Sequence, residues 1–330
     1  MISLEKLNAV KSVVSHLNCS DGLASAILLK DAFRGRDLPI KFVQYQTEEH
    51  KTLVAEPGML FVDFSPHPDR VQEFVEAGAI VLDHHKTAKQ VVEAFGEDGL
   101  FGDEIANPGV CGAVLAYQHV WLPLRGPLAR DETELFAKKF STLAGVRDTW
   151  QRDDERWKEA CLQNYILSFI PRERWLSKTF PQIASSWDTE YAWIGELLQE
   201  KETRTIRKIA ELSYRLTTPK GTRVVIFEGV TKTSDLAELL HDSVDLVIGF
   251  NYETENGVPK VIFSTRSHTT FDCAAMCKAY GGGGHTKAAG FNRQLKHSDP
   301  NPYTLAEELV RLWEDETEVK LREKLQVLVG

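Results

Sequence analysis

Positive charge is in short supply. Lys and Arg number 39 against 48 Asp and Glu, a formal net charge of −9, so no general basic surface exists to hold long duplex nucleic acid by counterion release. An anionic substrate must be met locally, by a metal or by a few aimed Arg and His side chains. Cysteine is sparse too. Cys19, Cys111, Cys161, Cys273 and Cys277 are an odd number at no disulfide or zinc-knuckle spacing, which points to reduced thiols in a cytoplasm. No stretch approaches the roughly 18 apolar residues that span a bilayer. The N-terminal "MISLEKLNAVKSVVSH" is interrupted by acidic and polar residues, unlike a secretory leader. Internal repeats are absent, as is low complexity beyond Gly281 to Gly284. The expectation is a soluble cytoplasmic protein that meets no membrane. At 330 residues, 42% hydrophobic and 26% charged, it is long enough for two cores.

What is present is alternation. "AVKSVVSH", "IKFVQY", "MLFVDF" and "AIVLDHH" are short β-rich runs separated by helical patterns such as "GLASAILLKDAFRG" and "DRVQEFVEAG". "GVCGAVLAYQHVW" and "DETELFAKKFSTLAG" then continue as helices. Strand, helix, strand in this order predicts an α/β domain over residues 1–155, with a parallel sheet covered by helices on both faces. Residues 156–217 read as a helical connector, with "TEYAWIGELLQEKETRTIRKIAELSYRL" as one long charged helix. After "TTPKG" the β pattern returns in "TRVVIFEG", "VDLVIGF" and "KVIFSTR". These strands, a glycine run and an amphipathic C-terminal helix predict a smaller α/β domain over 218–330.

In parallel sheets ligands collect at the carboxyl ends of the strands, and the strand ends of the first domain are charged. "VVSHLNCSDG" supplies His16, Cys19 and Asp21; "MLFVDFSP" supplies Asp63; "IVLDHH" supplies Asp83, His84 and His85. "LAGVRDTW" adds Asp148 after an apolar helical segment. Any one of these alone reads more readily as a cap or turn former; Asp21-Gly22, for instance, could simply start the following helix. Four elements ending in Asp or His point instead to one shared site, because charges are expensive to bury unless paired or bound to metal. Imidazole with carboxylate suits Mn, Mg, Fe or Zn ions, and several such ligands can hold two ions for in-line displacement at phosphorus.

"HLNCSDGLASA", "VDFSP", "LDHH" and "RDTW", in this order, resemble the four motifs of the DHH phosphoesterase superfamily. "FSTRSHTTFDCAAMCKAYGGGGHTKAAGF", Phe263 to Phe291, is similar to the DHH-associated C-terminal domain, in which S-x-R-S precedes GGGH. The plan resembles that of enzymes degrading nanoRNA and removing phosphate from pAp. The resemblance implies that His16 and Asp63 hold one ion, while Asp21, Asp63, His84 and Asp148 hold the other, with Asp63 as the bridge. Manganese is the first choice for both, with magnesium or another divalent ion as the alternative. A hydroxide shared by the two ions would attack phosphorus at neutral pH. His85 would face the substrate phosphate, and Asp83 would be either a ligand or the orienter of a histidine. One departure is Cys19, which stands where many members have an additional aspartate; it matches a C-x-D-G branch. As a thiol it would be a softer ligand of the first ion, and as a structural residue a small buried apolar group.

For the second domain the resemblance implies substrate recognition by Arg266, Ser267, Gly282, Gly283, Gly284 and His285. The glycines would allow close backbone approach and an anion-binding nest, Arg266 a planar fork for phosphate. Trp150 and Trp157, seven residues apart, read as packing. His50, His67, His119 and His268 read as surface or capping residues. The function expected is a metal-dependent phosphodiesterase or phosphomonoesterase acting on short oligonucleotides or nucleotides, in a cleft between the domains. Kept beside it are a catalytically weak nucleotide sensor and a RecJ-like single-strand exonuclease. Self-association into a homodimer stays open.

Overall fold

Successive residues of a strand face opposite ways, so a run that is apolar throughout is satisfied only when both faces of its sheet are covered. β3 (Met59–Val62) is such a run, β4 (Ile80–Asp83) is one up to its terminal Asp83, and β1 (Ser12–His16) buries its central Val13, Val14 and Ser15. The computed structural model describes residues 2–125, 131–255, 257–295 and 300–329. In it these runs join β2 (Ile40–Val43) and β5 (Gly99–Phe101) in a five-stranded sheet of order β2-β1-β3-β4-β5, parallel throughout. Val13, Leu60, Leu82 and the helix Ser20–Ala32 build the core on one face. Val14, Phe61, Val81 and Phe74 build the other. The expected α/β class with a doubly covered parallel sheet is therefore observed.

The chain leaves β1 to form β2 on one side and returns to form β3 on the other. That reversal parts the connections above the β1 and β3 carboxyl ends, where open α/β sheets bind ligands. His16 is the last residue of β1, and Asp63 immediately follows β3.

Contacts divide the chain into two units, Met1–Glu200 and Lys201–Gly330. The helices Trp157–Phe169, Arg172–Ser177 and Phe180–Ser186 contribute Ile166, Trp175, Phe180 and Ile183 to the same core as the helix Ser20–Ala32. Their apolar faces are thus buried against the parallel-sheet unit. The long charged helix is shorter than its sequence pattern suggests: it runs Ala192–Leu212, after a π-helical turn at Trp187–Tyr191. Tyr214–Thr217 instead forms strand β6, because β-branched and aromatic residues ahead of Pro219 pair more readily with a neighbouring strand than they extend a helix.

The second unit is a six-stranded sheet of order β10-β11-β9-β8-β7-β6. Its further strands are β7 (Arg223–Glu228), β8 (Leu246–Glu255), β9 (Val258–Arg266), β10 (Gly283–His285) and β11 (Ala288–Gln294). Only β7 and β8 run parallel among its described pairs. The helix Cys273–Ala279 and Leu305, Leu309 and Val310 cover one face.

The glycine run is part of regular structure: Gly281 (φ 80°) and Gly282 end the preceding helix, with Gly282 N–H donating to the Cys277 carbonyl at 2.8 Å, a left-handed C-cap arrangement. Gly283 and Gly284 open β10. A Cβ at Gly282 would fall 2.1 Å from the Gly290 carbonyl oxygen, and one at Gly284 2.5 Å from that of Ala288. Close strand packing explains these two glycines, while Gly283 has nothing within 4 Å of its Cβ position.

Candidate metal centre

The acidic and imidazole side chains of the centre are brought together by several elements of the first unit. Asn18, at φ 60°, lets the chain turn sharply from β1 into the helix that starts at Ser20. This places Cys19 at the N-cap and Asp21 in the first turn. Asp63 is itself left-handed, φ 53°, and its N–H donates to the Leu82 carbonyl at 2.9 Å. β4 carries Asp83 into the His84-His85 turn, and the helix Asp131–Asp148 delivers Asp148 at its last residue.

These residues converge. Among the described residues three groupings have ligand atoms within 4.8 Å of one another: His16, Cys19 and Asp63; Asp63, His84 and His85; Asp21, His84 and Asp148. Asp63 and His84 each belong to two groupings. His84 Nε2 stands 3.2 Å from Asp63, 3.4 Å from Asp148 and 3.8 Å from Asp21. His16 Nδ1 and Asp63 Oδ2 face each other at 3.5 Å, and neither buried atom has a hydrogen-bond partner among the described residues. Donors about 2.1 Å from one ion at tetrahedral angles stand roughly 3.4 Å apart. The pair therefore fits a cation, and burial of two such atoms without one is costly.

Asp83 is occupied differently. Its Oδ1 accepts from the His84 N–H (2.7 Å), the His85 N–H (3.1 Å) and His85 Nδ1 (2.7 Å). Its Oδ2 accepts from Tyr45 Oη (2.7 Å) and Ser65 Oγ (2.5 Å). That is the geometry of a residue that orients His85. It lies outside the three ligand groupings.

The charge balance follows from this packing. Burial and the charges of Asp63 and Asp148 push the Asp21 carboxyl well above the usual carboxylate range, and burial likewise raises Asp148. Burial opposes ionisation of Asp63 too, but His16, His84 and His85 outweigh it and hold the acid well below that range. Burial disfavours charge on both histidines of the triplet. Asp63 and Glu104 nevertheless raise His84 well above the ordinary imidazole range, and Asp83 lifts His85 to about 9. Burial and the same three acids keep the Cys19 thiol protonated. Three carboxylates in so small a volume repel one another, and a divalent cation relieves that repulsion.

Several supports were not visible in the sequence. Glu104 accepts from His84 Nδ1 at 3.0 Å, fixing which ring nitrogen is left for a ligand role. Asp21 accepts from the N–H groups of Gly112 (2.7 Å) and Ala113 (2.9 Å) and from the Cys111 thiol (2.9 Å). A Cβ at Gly112 would lie 2.4 Å from Asp63 Cβ and 2.8 Å from Asp21 Oδ2. The "VCGAV" segment, a glycine at a helix start, was the available signal.

In the second unit, paired residues of neighbouring strands share a face, and Ala288 pairs with both Arg266 and His285. These two side chains therefore rise from one face. Arg266 donates from Nε to Ser234 Oγ (2.9 Å) and from Nη1 to the Thr265 carbonyl (2.8 Å). Ser267 is buried, its N–H on the Lys287 carbonyl at 3.0 Å.

An oligoribonuclease, NrnB, of Bacillus subtilis is 24% identical over 294 residues, covering 83% of this chain and 70% of its own length. Among solved structures, a DHH domain described as a member of the s1p family of ribosomal proteins aligns with a TM-score of 0.59 at 12% identity, over 94% of this chain and 87% of that one. The fold is that of the DHH phosphoesterases. Two further DHH-fold likenesses are a pGpG-specific phosphodiesterase, PggH, of Vibrio cholerae (TM-score 0.53, 13% identity, 90% and 98% covered) and RecJ of Thermus thermophilus in complex with Mn2+ (0.54, 15%, 94% and 53%). No family model matches the sequence. Among the described residues, no helix of this DHH fold is long and apolar enough to cross a membrane.

Proposed function

We propose that this chain is a metal-dependent phosphoesterase that hydrolyses the phosphoester bonds of short oligonucleotides or nucleotides, with two divalent ions, manganese first, as cofactor. The observation that carries the reading is the pair of buried atoms, His16 Nδ1 and Asp63 Oδ2, left facing each other 3.5 Å apart beside two further acids, Asp21 and Asp148. The names of the similar oligoribonuclease and pGpG phosphodiesterase support a short substrate, and the Mn2+ in the RecJ structure supports the metal. The net charge of −9 argues against long duplexes.

In this reading His16 and Asp63 hold one ion, with Cys19 within reach of it as a thiol that would have to lose its proton to bind, and Asp21, Asp63, His84 and Asp148 hold the other. Bound there, the ions supply Lewis acidity for in-line displacement at phosphorus. Asp83 holds His85 in place and cationic at neutral pH, so His85 meets the anionic phosphate. Glu104 keeps the His84 proton on Nδ1. Recognition of the nucleotide is assigned to Arg266, Ser267, Gly282, Gly283, Gly284 and His285.

Purified protein with Mn2+ is to be incubated with short RNA, pAp, linear and cyclic dinucleotides and bis(p-nitrophenyl) phosphate. Turnover of the short nucleotides is expected. Inertness towards all of them, with binding of one, would replace the enzyme by a sensor.

A further inference from the structure

The end of β5 opens on a cavity of about 390 Å3 that lies wholly within the first unit, within the range of small-molecule sites. Its position ties it to the metal centre. Gly102 lines it and backs directly on His84, whose Cβ is 3.1 Å from the place a Gly102 Cβ would take. Val110, also lining, leads into the Cys111–Ala113 segment that holds Asp21. Val146 lines it two residues before Asp148.

Its polar lining is mostly planar amides and an imidazole, from Asn107, Gln118, Gln151 and His119, joined by the Thr142 hydroxyl and by Arg156, whose guanidinium is paired with Asp154. Gln118 and His119 belong to a π-helical stretch, Tyr117–Trp121, inside an otherwise α-helical segment. Such insertions rotate side chains out of the regular helical register and recur at functional sites. His119 Nδ1 is buried and has no hydrogen-bond partner among the described residues, which is costly unless something else supplies one. Burial also lowers the His119 pKa, so the ring presents one donor and one acceptor at neutral pH.

We propose that this cavity receives a nucleobase of the substrate, with Gln118 and His119 reading its hydrogen-bonding edge; the substrate role rests on the phosphoesterase reading above. Planar amides match base edges in pairs of donor and acceptor, and a site that pairs with one base rejects another by leaving its own polar groups unmatched.

The test compares wild type with Gln118→Ala and His119→Ala. With Mn2+, kcat/KM is measured for pApA, pGpG, pCpC and pUpU, each divided by kcat/KM for base-free bis(p-nitrophenyl) phosphate. Wild type is expected to separate the best from the worst dinucleotide by at least about tenfold, and each variant to lower the best ratio by about tenfold. Gln118 is exposed, so its variant stays informative if His119→Ala unfolds. In parallel, adenosine, guanosine, cytidine and uridine are titrated into protein in EDTA and followed by NMR. Binding of one nucleoside, weakened in Gln118→Ala, supports the pocket even if no phosphoester is cleaved, in which case the enzymatic reading alone fails. Equal hydrolysis of all four dinucleotides with no nucleoside binding overturns the pocket and leaves the enzyme standing.

Discussion

Replacing Gly112 by alanine tests the packing of the centre without removing any ligand. At an unstrained helical position glycine to alanine stabilises by about 0.4–1 kcal/mol through the unfolded chain. Gly112 has no positive φ, so that gain applies here. Opposing it, the new methyl would sit 2.4 Å from Asp63 Cβ, 2.8 Å from Asp21 Oδ2 and 2.9 Å from Asp63 Cα. None of these is the far end of a flexible chain, and overpacking of this kind costs about 1–3 kcal/mol. The net effect is a loss of roughly 0–2.5 kcal/mol, or a melting temperature up to about 10 °C lower for a unit of this size. The larger consequence is geometric. Both carboxylates must move, and an error of about 1 Å in such a site costs around a hundredfold in rate. Melting in EDTA, Mn2+ titration by calorimetry, and turnover of pApA measure the three effects. A G112A protein that binds Mn2+ and turns over as wild type does would refute the close apposition of Asp21 and Asp63.

Asp63→Asn should abolish hydrolysis and weaken Mn2+ binding by more than a hundredfold while melting in EDTA near the wild-type temperature; calorimetry and activity on any dinucleotide check it. Glu104→Gln should cost about 10- to 100-fold in metal affinity or activity by releasing the His84 ring, read by Mn2+ titration. Cys19→Asp should tighten Mn2+ and destabilise the metal-free protein, because a fourth acid joins Asp21, Asp63 and Asp148; calorimetry and EDTA melts separate the two effects.

The Asp83-His85 pair gives a pH signature in EDTA. Asp83, held at about 2, contributes stability present above the unfolded value near 3.9 and lost as pH falls towards 2; His85, raised to about 9, contributes stability full below about 6.5 and lost as pH rises through 9. Asp83→Asn should flatten both limbs of a plot of melting temperature against pH.

His16, Asp63, the Asp83-His84-His85 triplet and Asp148 stood out in the sequence because each ends an apolar run, where a charge has no business unless it works with others. Glu104, Tyr45, Ser65 and Gly112 did not. They lie in connections or at a helix start, with partners 18 to 91 positions away, and nothing in the local pattern announces such a meeting. β5, three residues long, and β10, with two glycines in three, were illegible for a different reason: both are too short or too bare of side chains to alternate. His119, read as a surface or capping residue, is half-buried within the π turn.

The left-handed backbone of Asp63 has a consequence for how such a chain would decay. A non-glycine residue in that conformation carries about 1 kcal/mol or more of strain, so glycine there would relax the turn and remove a buried acid in one step. Drift, once selection for turnover lapsed, would be drawn towards that replacement. A sister sequence with glycine at this point and the remaining acids intact would be a better-folded relic.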